Sequence, residues 1–372
     1  MFAGIGGFRA GLDRAGGFQC VGHCEIDPHA DASYRAIHHI GKEECFYPDA
    51  RTIDPGELPD FDLLCGGFPC QAFSQAGRRR GFEDARGTLF FEIARLAQAK
   101  RPSYLLLENV PGLLSHDKGR TFSVILTTLL QLGYSVEWMV LNRADFGVPQ
   151  ARRRVFLIGY LDPRCAGKVF PLFGSGGKAL IQMLPGPQGS RVYDCEGTSC
   201  TLTAGGGSHK TGLYFVDLCN GGAKVTENAR CITAHYAKSA ISNRKAENSG
   251  VLFIKEATKK GYKAALPGDT VDLGYSGSNT RRGRVGHDIA HTLTTSANQG
   301  LVMRNGWIRK LMPRECFRLQ GFTDEQIDKV LAITSDAQAY KQAGNGVTVN
   351  VIEAIGRRIR EMDEEVKSEA IA

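Results

Sequence analysis

Between Phe61 and Tyr160 short apolar runs alternate with segments of helical period, and this alternation limits the possible folds more than any other feature of the chain. Phe61-Asp62-Leu63-Leu64-Cys65 and Tyr104-Leu105-Leu106-Leu107 are too short for helices and are bounded by Gly or Pro, so they read as strands. Between them Leu89, Ile93, Leu96 and Ala97 fall on one helical face. Phe122, Ile125, Leu126, Leu129 and Leu130 do the same until Gly133 ends the pattern. Val155 to Tyr160 is a further apolar run. Strands spaced by helices predict an α/β fold. Its sheet should be parallel and covered on both faces, with ligands beyond the carboxyl ends of the strands.

After about Asp162 the helical period vanishes until about Pro313, and Gly, Ser, Thr and Pro become common. A short pattern recurs there: Cys200-Thr201-Leu202-Thr203-Ala204, Cys231-Ile232-Thr233-Ala234 and His291-Thr292-Leu293-Thr294-Thr295. Thr and β-branched residues beside Gly suit short strands with projecting loops. Two readings stand: a Thr-rich β domain with accidental repetition, or equivalent strand–loop units that present side chains to a partner. From Arg314 helical patterning returns, and Val347, Val351, Ile355 and Ile359 share a face. That helix should pack back on the first domain. Residues 1–162 with 306–372 then form one domain, and 163–305 an insertion.

A chain of 372 residues has room for this arrangement. No run approaches the roughly 18 apolar residues of a membrane span, and no basic, then apolar, leader opens the sequence. A cytoplasmic protein is expected. The formal charge of +7 permits a polyanionic partner. Arg78-Arg79-Arg80, Arg152-Arg153-Arg154 and Arg281-Arg282 with Arg284 each read as a solvated loop or as a phosphate contact. Three clusters, two of them beside chemistry-bearing segments, favour phosphate. Eleven cysteines without paired CxxC elements fit a reducing compartment. Cys20, His23 and Cys24 have no second half-site, so no metal is expected.

Phe2-Ala3-Gly4-Ile5-Gly6-Gly7-Phe8 is a glycine loop, and Glu25 follows at about the 20-residue spacing of a ribose-binding acid. Gly66-Gly67-Phe68-Pro69-Cys70-Gln71 leaves the strand that ends at Cys65, so Cys70 stands where an α/β fold does its chemistry. The polar loop from Ser74 to Arg86 has the composition of a lid. Glu108 closes the next strand and should face the same crevice. Gln150-Ala151-Arg152-Arg153-Arg154 opens a later strand, and alternation puts Arg152 and Arg154 on one side. A thiol, a carboxylate and guanidinium groups around one crevice make a nucleophilic site with an acid and an anchor.

Taken in order, these segments resemble the DNA cytosine-5 methyltransferase family over most of the chain outside the insertion. Phe-Ala-Gly-Ile-Gly-Gly-Phe, Gly-Phe-Pro-Cys-Gln, Arg86-Gly87-Thr88-Leu89-Phe90, Glu-Asn-Val and Gln-x-Arg-x-Arg carry the likeness. Arg314-Glu315 and Gln342-Ala343-Gly344-Asn345-Gly346-Val347 close it. The resemblance implies a Rossmann-like, S-adenosylmethionine-dependent methyltransferase sheet. A smaller, mostly β target-recognition domain would be inserted before the C-terminal helix. It implies a monomer that acts on double-stranded DNA and flips out its target base. A restriction–modification methylase, with a cognate endonuclease acting separately, or a phage or orphan methylase would fit.

By the same resemblance Cys70 is the nucleophile, Glu108 binds the ring N3 and amino edge, Arg152 holds the cytosine O2 and Arg154 orients its neighbours. Phe2 and Ile26 should lie against the donor's adenine, with Asp49 on the adenine amino group. Glu25 should take the ribose hydroxyls, and Gly4, Gly6, Asn345 and Val347 the methionine portion, with Pro69 and Leu89 as further contacts. The loops at Gly205-Gly206-Gly207, Ala234-His235-Tyr236 and Ser296-Ala297-Asn298 are candidate base readers. Arg244, Lys245, Arg281 and Arg282 are candidates for phosphate. Family members carry a hydrophobic strand ahead of the Phe-Ala-Gly motif, where this sequence has Met1. Neighbouring ladders should be open there, at roughly 1 kcal/mol for each unmade hydrogen bond. About ten upstream residues should raise donor affinity and solubility. A tRNA cytosine-5 methyltransferase, an enzyme of free pyrimidine nucleotides and a non-catalytic DNA-binding regulator are the competing readings. The long insertion argues against the first two, and intact Cys70, Glu108, Arg152 and Arg154 against the third.

Overall fold

The computed structural model describes residues 1–68, 89–172, 252–258, 261–274, 280–295, 298–303 and 308–371, and the backbone of four short strands between 182 and 226. A glycine loop leads into α1 (Gly7–Ala15). Next come β1 (Gly22–Cys24), α2 (Pro28–Ile37) and β2 (Cys45–Tyr47), which pairs parallel with β1. Pro28 at the first helical position and Asp27, whose side chain accepts the His29 N–H, fix the start of α2.

The strands and helices expected between 61 and 160 form, as β3 (Leu63–Gly67), α3 (Leu89–Lys100), β4 (Tyr104–Asn109) and α4 (Arg120–Gln131). Two further strands follow, β5 (Ser135–Asn142) and β6 (Arg153–Tyr160). The sheet runs in the order β3-β4-β6-β5 and is mixed, which corrects the all-parallel expectation. Only β3 and β4 are parallel, while β6 runs against both β4 and β5. No helix long enough for a crossover separates β5 from β6, so the chain must reverse between them. The apolar-run criterion also missed β5. It is a half-exposed edge strand carrying Glu137 and an exposed Trp138.

β4 is buried on both faces. Leu106 joins a core with α1 and the last helix, and Leu105 and Leu107 join one with α3 and α4. That last helix, α8 (Val349–Ile371), crosses α1 so closely that a Cβ on Gly11 would lie 2.5 Å from Ile352 Cβ. Val347 precedes this helix and is not part of it. Before it stand α5 (Pro313–Arg318), α6 (Asp324–Leu331), with a Thr323–Gln326 capping box, and α7 (Asp336–Asn345). Among the described residues no helix is long and apolar enough to cross a membrane.

The β1–β2 pair is not hydrogen-bonded to the larger sheet. Residues 1–3 bridge the two at their carboxyl ends, the Met1 ammonium donating to Cys65 O (2.9 Å) and the Ala3 N–H to Cys24 O (2.9 Å). Below that point a cavity of about 430 Å³ separates Cys20–Cys24 from Phe61–Cys65. Val21 O accepts from Cys45 N and Asp62 O from Tyr104 N, so the alternate residues Gly22 and Leu63 turn their backbone groups toward the cavity.

After Pro163, β7 (Gln182–Leu184) pairs with β8 (Val192–Tyr193), and β9 (Phe215–Asp217) with β10 (Lys224–Thr226). β11 (Leu252–Lys255) and β12 (Tyr262–Ala265) form a hairpin. β13 (Thr270–Asp272), β14 (Val285–Gly286), β15 (Gln299–Val302) and β16 (Ile308–Lys310) make an antiparallel sheet in the order β14-β13-β15-β16, which runs past residue 305, the expected end of the insertion. Of the three Thr-containing repeats, those at 200–204 and 231–234 lie outside the described residues. The third, 291–295, is not a strand. A single bridge, Gln150↔Ala290, ties the chain just before it to the large domain.

Candidate active site

Glu108 ends β4, and its Oε1 accepts from Arg154 Nε at 2.9 Å, with both side chains largely covered. Alternation along β6 turns Arg153 to solvent and Arg154 inward, and Arg152, just ahead of the strand, is 5% exposed. Arg152 is held on several sides. Its backbone N–H donates to Asn142 Oδ1 (3.1 Å), Nη1 to Leu293 O (3.2 Å) and Nη2 to Gly346 O (3.4 Å). Burial pushes the Glu108 carboxyl above the usual range, and the charges of Arg154 and Arg152 act against that shift. Burial and the charge of Arg154 also work against the Arg152 cation, which Glu108 supports.

β3 delivers the chain to the same place. A Cβ on Gly67 would come within 3.1 Å of Glu108 Oε2, so the carboxylate and the strand end approach closely. Phe68 is buried, and its carbonyl accepts from Asn109 Nδ2 (2.8 Å). Pro69 and Cys70 follow, outside the described residues, as does the expected lid from Ser74 to Arg86. Cys65, on the body of β3, is a different kind of thiol. Burial raises it to about 12, so it stays protonated and inert.

The glycine loop sits beside this crevice. Gly4 has φ +56° with nothing within 4 Å of a Cβ built on it, so it borders open space. Its N–H donates to Glu25 Oε2 (2.7 Å), and the Asp27 N–H donates to Glu25 Oε1 (2.8 Å). Phe2 also has a positive φ of 53° and packs against the α3–α4 core. Gly6 (φ +83°) lies where a Cβ would meet the His38 ring, and a Cβ on Gly7 would fall 2.5 Å from Val347 O. The loop and the 346–348 turn therefore touch. Ile26 is 66% exposed, and Asn345, at the end of α7, is also exposed. Asp49 stands after β2, but its carboxylate is engaged by Arg51 (2.6 Å), which holds it down at about 2. Leu89 is half-buried at the start of α3. Glu25, Gly4, Gly6 and Val347 are brought into one neighbourhood, and Asp49 is committed to Arg51.

One expectation changes. Arg284 was grouped with Arg281 and Arg282 as a phosphate contact. It is buried instead, donating to Asp272 O (2.9 Å) and Lys255 O (3.1 Å), and so braces the inserted sheet. Arg281 pairs with Asp272 (2.7 Å), and Arg282 is exposed while donating to Ala257 O (2.7 Å). In the third Thr-containing repeat Leu293 is buried, while Thr292, Thr294 and Thr295 are exposed. Its Leu293 carbonyl holds Arg152, Thr292 Oγ1 donates to Ala151 O (2.9 Å), and Gln150 donates to His291 O. Among the described residues no group of three or more His, Cys, Asp or Glu could hold a metal ion. His23 lies instead between Glu44 (3.0 Å) and Asp31 (2.9 Å).

Sequence reasoning passed over Arg143. It lies in the turn between β5 and β6, is 1% exposed, and borders a cavity of about 10 Å³ with Glu108, Arg152, Arg154 and Val347. A lone arginine in a polar turn gives no periodic signal, and burial by a distant part of the chain leaves none either.

The family model described as C-5 cytosine-specific DNA methylase matches residues 1–361. The type II methyltransferase M.NlaX of Neisseria lactamica is 36% identical over 362 residues, covering 97% of this chain and 95% of that protein. The orphan methyltransferase M.SPRI of Bacillus phage SPR is 32% identical, covering 96% of each. Among solved structures, the Entamoeba histolytica methyltransferase EhMeth superposes with a TM-score of 0.52 at 16% identity, covering 97% of this chain and 96% of its own. A Spodoptera frugiperda DNMT2 variant gives 0.52 at 14% identity, covering 96% and 98%. The structural likenesses show a shared fold.

Proposed function

The chain belongs to the C-5 cytosine-specific DNA methylase family and is a DNA cytosine-5 methyltransferase, and from that premise we propose how its residues divide the reaction. The observation that carries the proposal is the Glu108–Arg154 pair beside buried Arg152, at the point where β3 hands the chain to Cys70.

The target cytosine leaves the duplex to enter this crevice, because its ring carbons are unreachable within the stack. Cys70, as thiolate, adds to carbon 6 and makes carbon 5 nucleophilic. Glu108 faces N3. Burial favours its protonated form, so the carboxyl can share a proton with the ring as negative charge develops there. Arg154 fixes the carboxyl's orientation at 2.9 Å. Arg152, anchored through Leu293 and Gly346 carbonyls, keeps further N–H groups for the cytosine O2. Once carbon 5 has taken the methyl group, loss of its proton and elimination of Cys70 restore the aromatic ring and free the thiolate.

S-adenosylmethionine is the proposed donor, and it supplies an activated methyl group. The residues present fit it. Glu25 uses its oxygens on only two backbone N–H groups and has lone pairs left for ribose hydroxyls. Open space over Gly4 admits the methionine portion, and exposed Ile26 offers an apolar surface for adenine, with Phe2. Gly6, Asn345 and Val347 would complete the pocket with Pro69 and Leu89. Asp49 would reach the adenine amino group only by leaving Arg51.

We further propose that residues 163–305 read the sequence of double-stranded DNA, and that the protein works as a cytoplasmic monomer, as an orphan enzyme or beside a separate endonuclease. Tritiated methyl transfer to duplex DNA, tRNA and free nucleotides tests the assignment, with Cys70→Ala as control. Incorporation into duplex DNA, lost in the variant, is expected. Incorporation into tRNA alone, or full activity in Cys70→Ala, would overturn it.

A further inference from the structure

Arg143 is a buried cation that the scheme above does not use. Arg143 Nη1 donates to Leu319 O (2.8 Å), Gln320 Oε1 (2.9 Å) and Thr348 Oγ1 (3.2 Å). Among the described residues its Nε and Nη2 are buried without a partner, and no carboxylate pairs with it. Burial and the charges of Arg152 and Arg154 both work against the cation. A guanidinium with idle donors is unfavourable to bury, so the three acceptors it does hold identify its task.

All three belong to the segments that frame the 346–348 turn. Gln320 Nε2 donates to Ala343 O, and Thr348 Oγ1 bonds Gln320 Oε1 (3.3 Å). Arg152 grips the other end of the turn through Gly346 O. One hairpin, β5–β6, thus holds both ends of the turn, with one arginine on each. Between those two grips lies Val347, whose carbonyl packs on Gly7 of the glycine loop.

We propose that Arg143 is a positioning residue for the methyl donor, setting the Gly346–Thr348 turn against the glycine loop so that the donor pocket keeps its shape. This rests on the donor pocket proposed above. It assigns the hairpin two functions: base-directed groups at Arg152 and Arg154, and donor-directed support at Arg143.

The test compares Arg143→Met, Arg143→Lys and Thr348→Val with the parent. S-adenosylhomocysteine affinity is measured by calorimetry, and steady-state methylation of duplex DNA gives separate KM values for donor and DNA. Arg143→Met should weaken S-adenosylhomocysteine by about tenfold or more, the worth of a hydrogen bond to a charged group. It should raise the donor KM and leave the DNA KM unchanged. Arg143→Lys, which keeps the charge without the fork, should recover part of the loss. Thr348→Val removes one contact at nearly constant shape and should weaken binding about threefold. If Arg143→Met does not fold, Thr348→Val decides.

Glu25→Gln separates the two levels of the argument. If it weakens S-adenosylhomocysteine while the Arg143 and Thr348 variants bind like the parent, the role of Arg143 is refuted and the pocket stands. If Glu25→Gln also binds normally, the pocket assignment falls and this inference with it. A loss of kcat in Arg143→Met that matches its loss of folded protein, with donor KM unaltered, would show a structural role only and overturn the proposal.

Discussion

Glu108 is asked to hold a proton and to keep an ion pair at the same time. Its carboxyl is raised by burial in spite of Arg154 and Arg152, so the folded protein holds the proton more tightly than the unfolded chain does. The contribution of such a group to stability is complete below its unfolded value and is lost as the pH rises through the folded one. Glu108→Gln removes that loss. The melting temperature of the variant relative to the parent should therefore improve as the pH rises above the ordinary carboxylate range, while methyl transfer falls by about 100-fold or more. A stability difference that does not change with pH, or turnover near the parent's, would show that Glu108 is not the proton-holding group. A side chain at Gly67 would push on the same carboxylate, because its Cβ would lie 3.1 Å from Glu108 Oε2.

Among the elements, β4 shows what periodicity could and could not announce. Its continuous run of leucines declared a strand buried on both faces, and the structure fills both faces. β5 escaped because an edge strand with one partner tolerates Glu137 and Trp138 on its open faces. Its omission is also why the sheet was expected to be wholly parallel. The Thr-rich segment at 291–295 looked like a strand by composition, yet its backbone is used by Arg152 and Gln150, residues some 140 positions earlier. Local pattern carries no trace of such partners. At the site, Glu108 and Arg152 were legible because each sits at or beside a strand terminus, which pattern locates. Arg143 and the inward turn of Arg284 were not, since burial by distant segments decides both.

The open edges of β1 and β3 make a prediction at this level. Gly22 and Leu63 direct backbone groups into the 430 Å³ cavity between the two sheets. An apolar, β-branched segment of about ten residues fused ahead of Met1 should enter as a strand parallel to both neighbours. At roughly 1 kcal/mol net for each hydrogen bond made, the melting temperature should rise by several degrees. S-adenosylhomocysteine should bind more tightly, because Met1–Ala3 lead directly into the glycine loop. A fusion that unfolds at the same temperature and binds alike would mean that the cavity does not accept a strand.

Across the whole molecule, three parts of the chain converge on one crevice. The β3 and β4 ends bring Gly67 and Glu108, and the β5–β6 hairpin brings Arg143, Arg152 and Arg154. The inserted region returns through Ala290–Leu293 to take hold of the hairpin. Leu293 is buried in the core shared with α5, α6 and α7, so this segment is anchored where the arginines are held. The chemistry assigned to the crevice still turns on one atom, Cys70 Sγ. Incubating the enzyme with S-adenosylmethionine and duplex DNA carrying 5-fluorocytosine at the target position blocks loss from carbon 5 and should trap the intermediate. Denaturing electrophoresis should show a covalent complex, and mass spectrometry should place it on the peptide containing Cys70, with none formed by Cys70→Ala. An adduct on another residue, or methylation of ordinary duplex by Cys70→Ala at the parent's rate, would contradict the mechanism.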